Sequence, residues 1–331
     1  MKKYMIISLL ITVGIPFVLL SLMNTDNVRK EPQIQQNSEK EIIEEYVHPQ
    51  NQRKIAVLNN DNIEHLDLEE YILGVVLAEM PTEFELDALM AQAVVARSYA
   101  YKNMLKSKHA KGDLCTNSEC CQAYLSQEEY LNAGGDPAML NKVAETVRKT
   151  SEQILTYEGQ IIDATYFSCS GGRTEAAYAV WGSDVPYLQS VDSPGEENAS
   201  HYTDTVQFSS SDFCKKLGID LIGPAGLWVE DISYTEGGGV ATVDLGGHHF
   251  SGTQIRMLLG LPSTAFVISA VGDTVTITTK GFGHRVGMSQ YGANAMAKRG
   301  IGYDEILAHY YPGTELVSCP VDNISELMYN T

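Results

Sequence analysis

The chain reads as a mixed α+β protein, and three observations lead there. Residues 67–101 carry helix-period apolar runs opened by capping signals. From residue 153 onward, short β-branched runs alternate with glycine- and proline-bearing turns. Residues 5–23 form one uncharged apolar run. The expected fold is a single N-terminal transmembrane helix, a helical first half around Glu79, and a remainder rich in mixed and antiparallel β-structure.

Taken in order, the run MIISLLITVGIPFVLLSLM is long enough to span a bilayer once. Lys2 and Lys3 precede it, which places the N-terminus in the cytoplasm and everything after Met23 outside. No alanine occurs before Ala56 and no cysteine before Cys115, so a cleavage site and a lipoprotein anchor both lack their residues. The expected organisation is therefore a cytoplasmic tip and anchor over 1–23, a polar tether over 24–53 and one extracytoplasmic domain over 54–331. Asp67 with Glu70 reads as an acidic N-cap with its reciprocal partner, opening a helix through LEEYILGVVLA. Pro81 pushes Met80 out of helical geometry and ends that helix near Glu79. Thr82 with Glu85 reads as a second capping box, opening a longer helix whose body is ALMAQAVVARSYA. Helices dominate 68–150. Strands are expected near 153–158, 161–168, 187–192, 226–234, 238–245, 264–270 and 273–280, with helices at 286–299 and 303–310.

Two charges stand alone on these helices. Glu79 sits in an apolar run at a helix C-terminus, where both desolvation and the macrodipole disfavour the anion and raise its pKa. A carboxyl so held suits a general acid near neutral pH. The bland reading is a solvent-facing glutamate at a frayed end. Arg97 is crowded by Ala88, Val94, Val95 and Ala96. It is either a ligand-binding cation or half of a structural ion pair.

Cysteine spacing adds a third feature. Cys115, Cys120 and Cys121 fall within seven residues, and His109 lies six residues upstream of Cys115. One imidazole and three thiolates complete a closed, structural tetrahedral zinc site, and a disulfide among the three thiols is the alternative. Cys169, Cys214 and Cys319 stay unassigned, and a catalytic thiol at Cys169 would need His284 as its base. The turn GFGHRVG misses both the dinucleotide and the phosphate-loop spacings. It joins a strand to a helix and presents His284, Ser289 and Gln290, which suit sugar hydroxyls and acetamido groups; a histidine satisfied in the core is the alternative. The strand end FSCSGGRTE offers Ser168, Ser170, Gly171, Gly172 and Arg173 in the same way. Trp181 and Tyr187 either stack on sugars or belong to the core. A formal charge of −19 argues against nucleic-acid binding.

Five ordered blocks carry a family resemblance. EEYILGVVLAEMPTEFELDALMAQAVVARSYA opens the series, followed by YFSCSGGRTE, VWGSDVPYLQSVDSP, GTQIRMLLGLPSTAF and GFGHRVGMSQYGANAMAKRGIGYDEILAHYYPGTEL. Over residues 60–320 the chain resembles the stage II sporulation protein D family. The resemblance implies a lytic transglycosylase that cleaves peptidoglycan glycan strands during engulfment, with the glutamate of A-E-M-P, here Glu79, as catalytic acid. Beside that acid, the residues expected as substrate contacts are Arg97, Ser168, Ser170, Gly171, Gly172, Arg173, His284, Ser289, Gln290 and Tyr291. The resemblance strengthens the zinc reading, since some members carry a cysteine, then His-Cys after four residues, then Gln; here Cys120 takes that histidine's place. It also implies stage II sporulation proteins P and M as partners, and a septal location in the cell membrane. One departure is Met90, where the family block usually has lysine. A glycan-binding scaffold that activates an amidase, or a zinc-dependent wall amidase, are the alternative functions.

Overall fold

The computed structural model describes residues 54–59, 62–106, 108–221 and 223–319. The apolar run at 5–23 and the tether at 24–53 lie outside them. Among the described residues no helix is long and apolar enough to cross a membrane. The longest candidate, the 20-residue helix at Leu86–Leu105, carries Asp87, Arg97 and Lys102. The transmembrane helix expected as part of the fold, and the single-pass membrane localisation drawn from it, are corrected accordingly.

What is described is an α+β fold with two apolar cores. The larger begins with the hairpin β1 (Lys54–Asn59) and β2 (Asn62–Asp67), which leads into α1 (Leu68–Glu79) and α2 (Leu86–Leu105). Both helices are buried on nearly every side, so neither shows a marked apolar stripe. Helix α1 ends at Glu79, as Pro81 requires. The capping boxes do not form. Asp67 makes no side-chain cap and instead accepts from Lys54 Nζ at 2.9 Å. Helix α2 starts one turn later than expected, at Leu86, because Asn294 Oδ1 takes the Glu85 N–H at 2.8 Å.

The same core takes in β3 (Leu114–Cys115), α3 (Gln127–Asn132), α4 (Pro137–Lys149), β4 (Gln153–Tyr157), β5 (Gln160–Ile161), β6 (Tyr166–Phe167) and α5 (Ala177–Trp181). The second core is built from β7 (Thr203–Ser209), α6 (Ser210–Leu217), β8 (Val229–Tyr234), β9 (Val240–Leu245), β10 (His248–Ser251), α7 (Gly252–Leu259), β11 (Phe266–Val271) and β12 (Thr274–Lys280). It holds two antiparallel sheets, ordered β10-β9-β8 and β11-β12-β7. The chain then returns to the first core with β13 (Met288–Ser289), α8 (Gln290–Ala297), α9 (Tyr303–Tyr310) and β14 (Glu315–Ser318).

Two differences from the expected elements matter for the site. Residues 161–168 are not one strand, since β6 keeps only two residues and pairs in parallel with β13. Residues 187–192 form a loop, tied by the Arg173↔Asp192 bridge. The β6–β13 pairing depends on Gly287, whose φ of +82° is left-handed. A Cβ there would overlap the Thr165 carbonyl oxygen. The long return connection thus places the 281–291 turn directly against the strand that carries Tyr166.

Candidate active site and metal-binding loop

The last turn of α1 delivers Glu79 to the meeting point of three segments. The Ala123 N–H donates to its Oε1 at 2.9 Å, and the side chains of Tyr166 and Gln290 face the same carboxylate. Burial raises its pKa above the ordinary carboxylate range and outweighs the downward pull of the Ala123 N–H and the two facing side chains. The carboxyl keeps some exposure to solvent. It therefore holds a proton to higher pH than a surface glutamate while staying within reach of a ligand.

Tyr166 is the residue that joins these parts. Its hydroxyl accepts from Gln122 Nε2 at 3.0 Å, and its ring meets Tyr99 edge to face at 6.5 Å. Burial pushes its own pKa up, and the neighbouring Glu79 charge adds to this, so the phenol stays protonated as a donor. Neither Tyr166 nor Gln122 figures among the expected site residues. Period 2 read backward from Ser168 leads to Tyr166, so a signal for it was present. The Gln that closes the family's cysteine loop falls on Gln122, but nothing local assigns it or the Ala123 amide to the site, because their role depends on the chain crossing from the cysteine loop to α1.

The turn after β12 supplies the opposite wall. Gln290 is the first residue of α8, and Ser289 is its N-cap, with Oγ accepting from Gly292 N at 3.2 Å. The Ser289 hydroxyl also donates to Ser168 O at 3.3 Å, and Tyr291 N donates to that carbonyl at 3.1 Å. Tyr291 packs edge to face on Phe84. His284 lies 5.3 Å from the Trp181 ring and 5.7 Å from Phe167. Burial, then the Arg256 charge, hold its pKa down to about 4. The ring is neutral above that pH. Its Nδ1 accepts from Val286 N–H at 3.1 Å, which leaves the proton on Nε2.

Several expected site residues turn away from this wall. Arg97 is wholly buried, with Nε and Nη2 donating to Glu69 at 2.7 and 2.6 Å and Nη1 to Gln153 O at 3.1 Å. Glu69 and Glu79 are ten residues apart on α1, about 15 Å along the axis. Arg97 is thus the structural half of an ion pair, and the expectation of a substrate contact there is corrected. Ser170 is also buried, with Oγ donating to Glu196 Oε2 at 2.9 Å. The Gly171 N–H joins it at 3.0 Å, the Cys169 thiol at 3.1 Å, and Gly172 N–H donates to Ser170 Oγ. Burial, with Glu196 beside it, pushes the Cys169 thiol up to about 12, which does not suit a nucleophile. Arg173 is paired to Asp192 and Glu236. Arg285, beside His284, makes a buried ion pair with Glu175 at 3.1 Å and donates to Gly237 O, tying the turn to the second core.

The cysteine loop sits on the other flank of Glu79. Asp113 and β3 lock it onto β1: Ala56 N–H donates to Asp113 Oδ2 at 2.7 Å, and Cys115 registers with Leu58. His109, Cys115, Cys120 and Cys121 bring one ligand atom each to within 4.8 Å of one another, and His109 Nε2 lies 3.2 Å from Cys121 Sγ. Cys115, Cys120 and Cys121 form no disulfide with one another. A nitrogen and three sulfurs at this spacing fit a tetrahedral zinc, whose Zn–S bonds of about 2.3 Å place ligand sulfurs roughly 3.8 Å apart. The segment immediately after the last cysteine is Gln122–Ala123, which touches both Tyr166 and Glu79. Whatever orders the four ligands therefore orders two groups that hold the carboxylate.

Residues 59–157 match the family model described as Stage II sporulation protein. The chain is 42% identical over 262 residues to Stage II sporulation protein D of Bacillus subtilis (strain 168), covering 78% of this chain and 76% of that one. It is 43% identical over 263 residues to the protein of the same name from Bacillus amyloliquefaciens, with the same coverage. It is also 28% identical over 302 residues to a protein named Amidase enhancer from B. subtilis, across 74% of this chain and 40% of that one.

Proposed function

The chain belongs to the stage II sporulation protein D family, and from that premise we propose that it is a peptidoglycan lytic transglycosylase acting during engulfment, with residues 54–331 as its catalytic domain. What supports the reading is the placement of Glu79, a half-buried carboxyl at the end of α1 that accepts from the Ala123 N–H and faces Tyr166 and Gln290, where burial raises its pKa. An ordinary glycosidase needs two carboxylates across the scissile bond. A transglycosylase needs one, because the C6 hydroxyl of N-acetylmuramic acid attacks its own C1 at high effective concentration.

In the proposed cycle Glu79 donates its proton to the oxygen bridging muramic acid to N-acetylglucosamine. The same carboxylate then accepts the proton of the attacking C6 hydroxyl, leaving a 1,6-anhydro end and a free N-acetylglucosamine hydroxyl. Tyr166 and Gln290 hold the carboxylate in line through both transfers. His284, Ser168 and Tyr291 line the strand's path beside Trp181. Met90 is buried at 9% exposure in α2, so a side chain here contributes packing and no charge to the reaction. The test is the product: peptide-free strands digested to fragments one water lighter than hydrolysis gives support the reading. Reducing ends would make the enzyme a hydrolase instead.

His109, Cys115, Cys120 and Cys121 would hold zinc in a closed structural site. A metal bound there would order the Gln122–Ala123 segment, and no chemical step is routed through it. Chelation is expected to lower the melting temperature and to weaken turnover in parallel, followed by calorimetry and product release on one sample. Loss of turnover with an unchanged melting curve would favour a zinc-dependent amidase.

A second reading is favoured by the relative named Amidase enhancer. In it the protein binds glycan and stimulates an amidase, the family's implied partners being stage II sporulation proteins P and M. Catalysis and stimulation are compatible in one molecule, and a Glu79 variant separates them.

A further inference from the structure

A cleft beside the Glu79 site has an edge chemistry that the cycle above does not use. It has a volume of about 540 Å³ and lies between the end of α2, residues 163–165 and α5. Tyr99, Trp181, Lys106, Lys108 and Asp163 are among its lining residues. It adjoins the site on two sides. Tyr99 meets the Tyr166 ring that faces Glu79, and Trp181 lies against His284. Two rings in series, Tyr99 and Tyr166, therefore lie between the cleft and the acid, a spacing that suits a neighbouring unit of a bound strand.

Charge is the informative part. In a chain of net charge −19, this cleft places two lysines against one carboxylate. Lys106 Nζ bonds Asp163 Oδ1 at 2.5 Å, with half of its side chain still exposed. Lys108 Nζ donates to the Cys120 carbonyl. Each ammonium carries three donors, so each keeps capacity beyond the partner named. The Lys106–Asp163 pair is exposed, and exposed pairs hold weakly enough to be rearranged by an incoming anion. Trp181, 47% exposed, offers an indole face beside the lysine edge.

Both sugars of the glycan strand are neutral at the ring. They differ at one position: muramic acid carries a lactyl ether whose carboxylate is free when no stem peptide is attached and is an uncharged amide when one is. We propose that Lys106 and Lys108 read this lactyl carboxylate on a muramic acid seated in the cleft, and so act as specificity-determining residues for the substrate. The proposal rests on the glycan-cleaving reading for its ligand but not on turnover.

The test is therefore a binding measurement on the full chain carrying Glu79→Gln, so that no strand is consumed. The probes are the peptide-free tetrasaccharide of alternating N-acetylglucosamine and N-acetylmuramic acid, and chitotetraose, which has the same backbone without lactyl groups. The parent is expected to bind the muramyl probe roughly 5-fold more tightly at low salt, a preference that shrinks as sodium chloride is raised. Lys106→Met and Lys108→Met each reduce the preference, the double variant removes it, and chitotetraose affinity stays unchanged. Lys108 touches the cysteine loop, so metal content is measured in each variant; Lys106→Met tests the idea without that contact. Equal affinity for the two probes in the parent, equal weakening of both probes in the variants, or no binding of either would overturn the proposal. Failure of the cleavage reading is seen separately, as absence of anhydro ends from the wild-type chain.

Discussion

Glu79→Gln is expected to lower turnover on peptide-free glycan by about 10²- to 10⁴-fold, the usual contribution of a positioned general acid–base. Two features of the site make the loss this large. The amide keeps the shape that Ala123, Tyr166 and Gln290 surround but has no proton to give the bridging oxygen. Among the groups facing Glu79, Tyr166 is a phenol whose raised pKa makes it a poor substitute acid near neutral pH. Stability should move the other way. A carboxyl whose folded pKa is raised binds more protons folded than unfolded between the two pKa values, so it destabilises increasingly as pH rises through that window. The glutamine variant should then be at least as stable as wild type at neutral pH. The gap should close as pH falls below about 4.3, the unfolded glutamate value. Denaturant melts of both proteins across this range, run beside the product assay, check the two signs together.

Arg97→Met is expected to cost about 3–5 kcal/mol of stability while leaving turnover per folded molecule near wild type. The guanidinium is fully buried, so its removal leaves Glu69, whose side chain is 16% exposed, without a countercharge. It also strips a donor from the Gln153 carbonyl. Lysine in this position would fill the space without restoring the two-pronged contact to Glu69. Chemical denaturation measures the loss, and kcat and KM of the folded fraction separate it from a substrate-binding role. A large KM increase with unchanged stability would return Arg97 to the groove. The double variant Arg97→Met/Glu69→Met should lose less than the single changes added together, since the pair is removed whole.

These two residues show how far the sequence reaches. For Glu79 the local rules sufficed: a proline two residues on ends the helix, and apolar neighbours desolvate the carboxyl, both legible in the A-E-M-P block. The clustering of His109, Cys115, Cys120 and Cys121 was legible too, because the four lie within thirteen residues of one segment. Arg97 looked like the same kind of signal, an isolated charge in an apolar helix. Its partner Glu69 is 28 residues away and resembled an ordinary first-turn acid. Only the packing of α1 on α2 distinguishes an ion pair from a ligand contact. Ser170 was misleading for a related reason. A glycine-rich turn exposes backbone to whatever lies beside it, and here that is the buried carboxylate of Glu196.

The β-structure divides in the same manner. The hairpin β11–β12 was legible from its alternation and the Gly272–Asp273 turn. Strand β7, TDTVQFS, was not. Its partner β12 comes some seventy residues later, and its apolar positions Val206 and Phe208 make too short a pattern to stand out. Tyr166 belongs to this class as well. Its place opposite Glu79 is set by the pairing of β6 with β13, 122 residues away at Met288.

The proton on Glu79 decides the central claim, and its titration can be seen directly. Carboxyl-carbon NMR of wild type, with Glu79→Gln to assign the resonance, gives its pKa in the folded protein. The alkaline limb of kcat/KM for release of anhydro-muropeptides gives the pKa of the acid that the reaction uses. The expected result is a Glu79 pKa above the ordinary carboxylate range that coincides with that limb. A Glu79 that titrates at or below the range of a surface glutamate, or a limb set at a different pH, would contradict it.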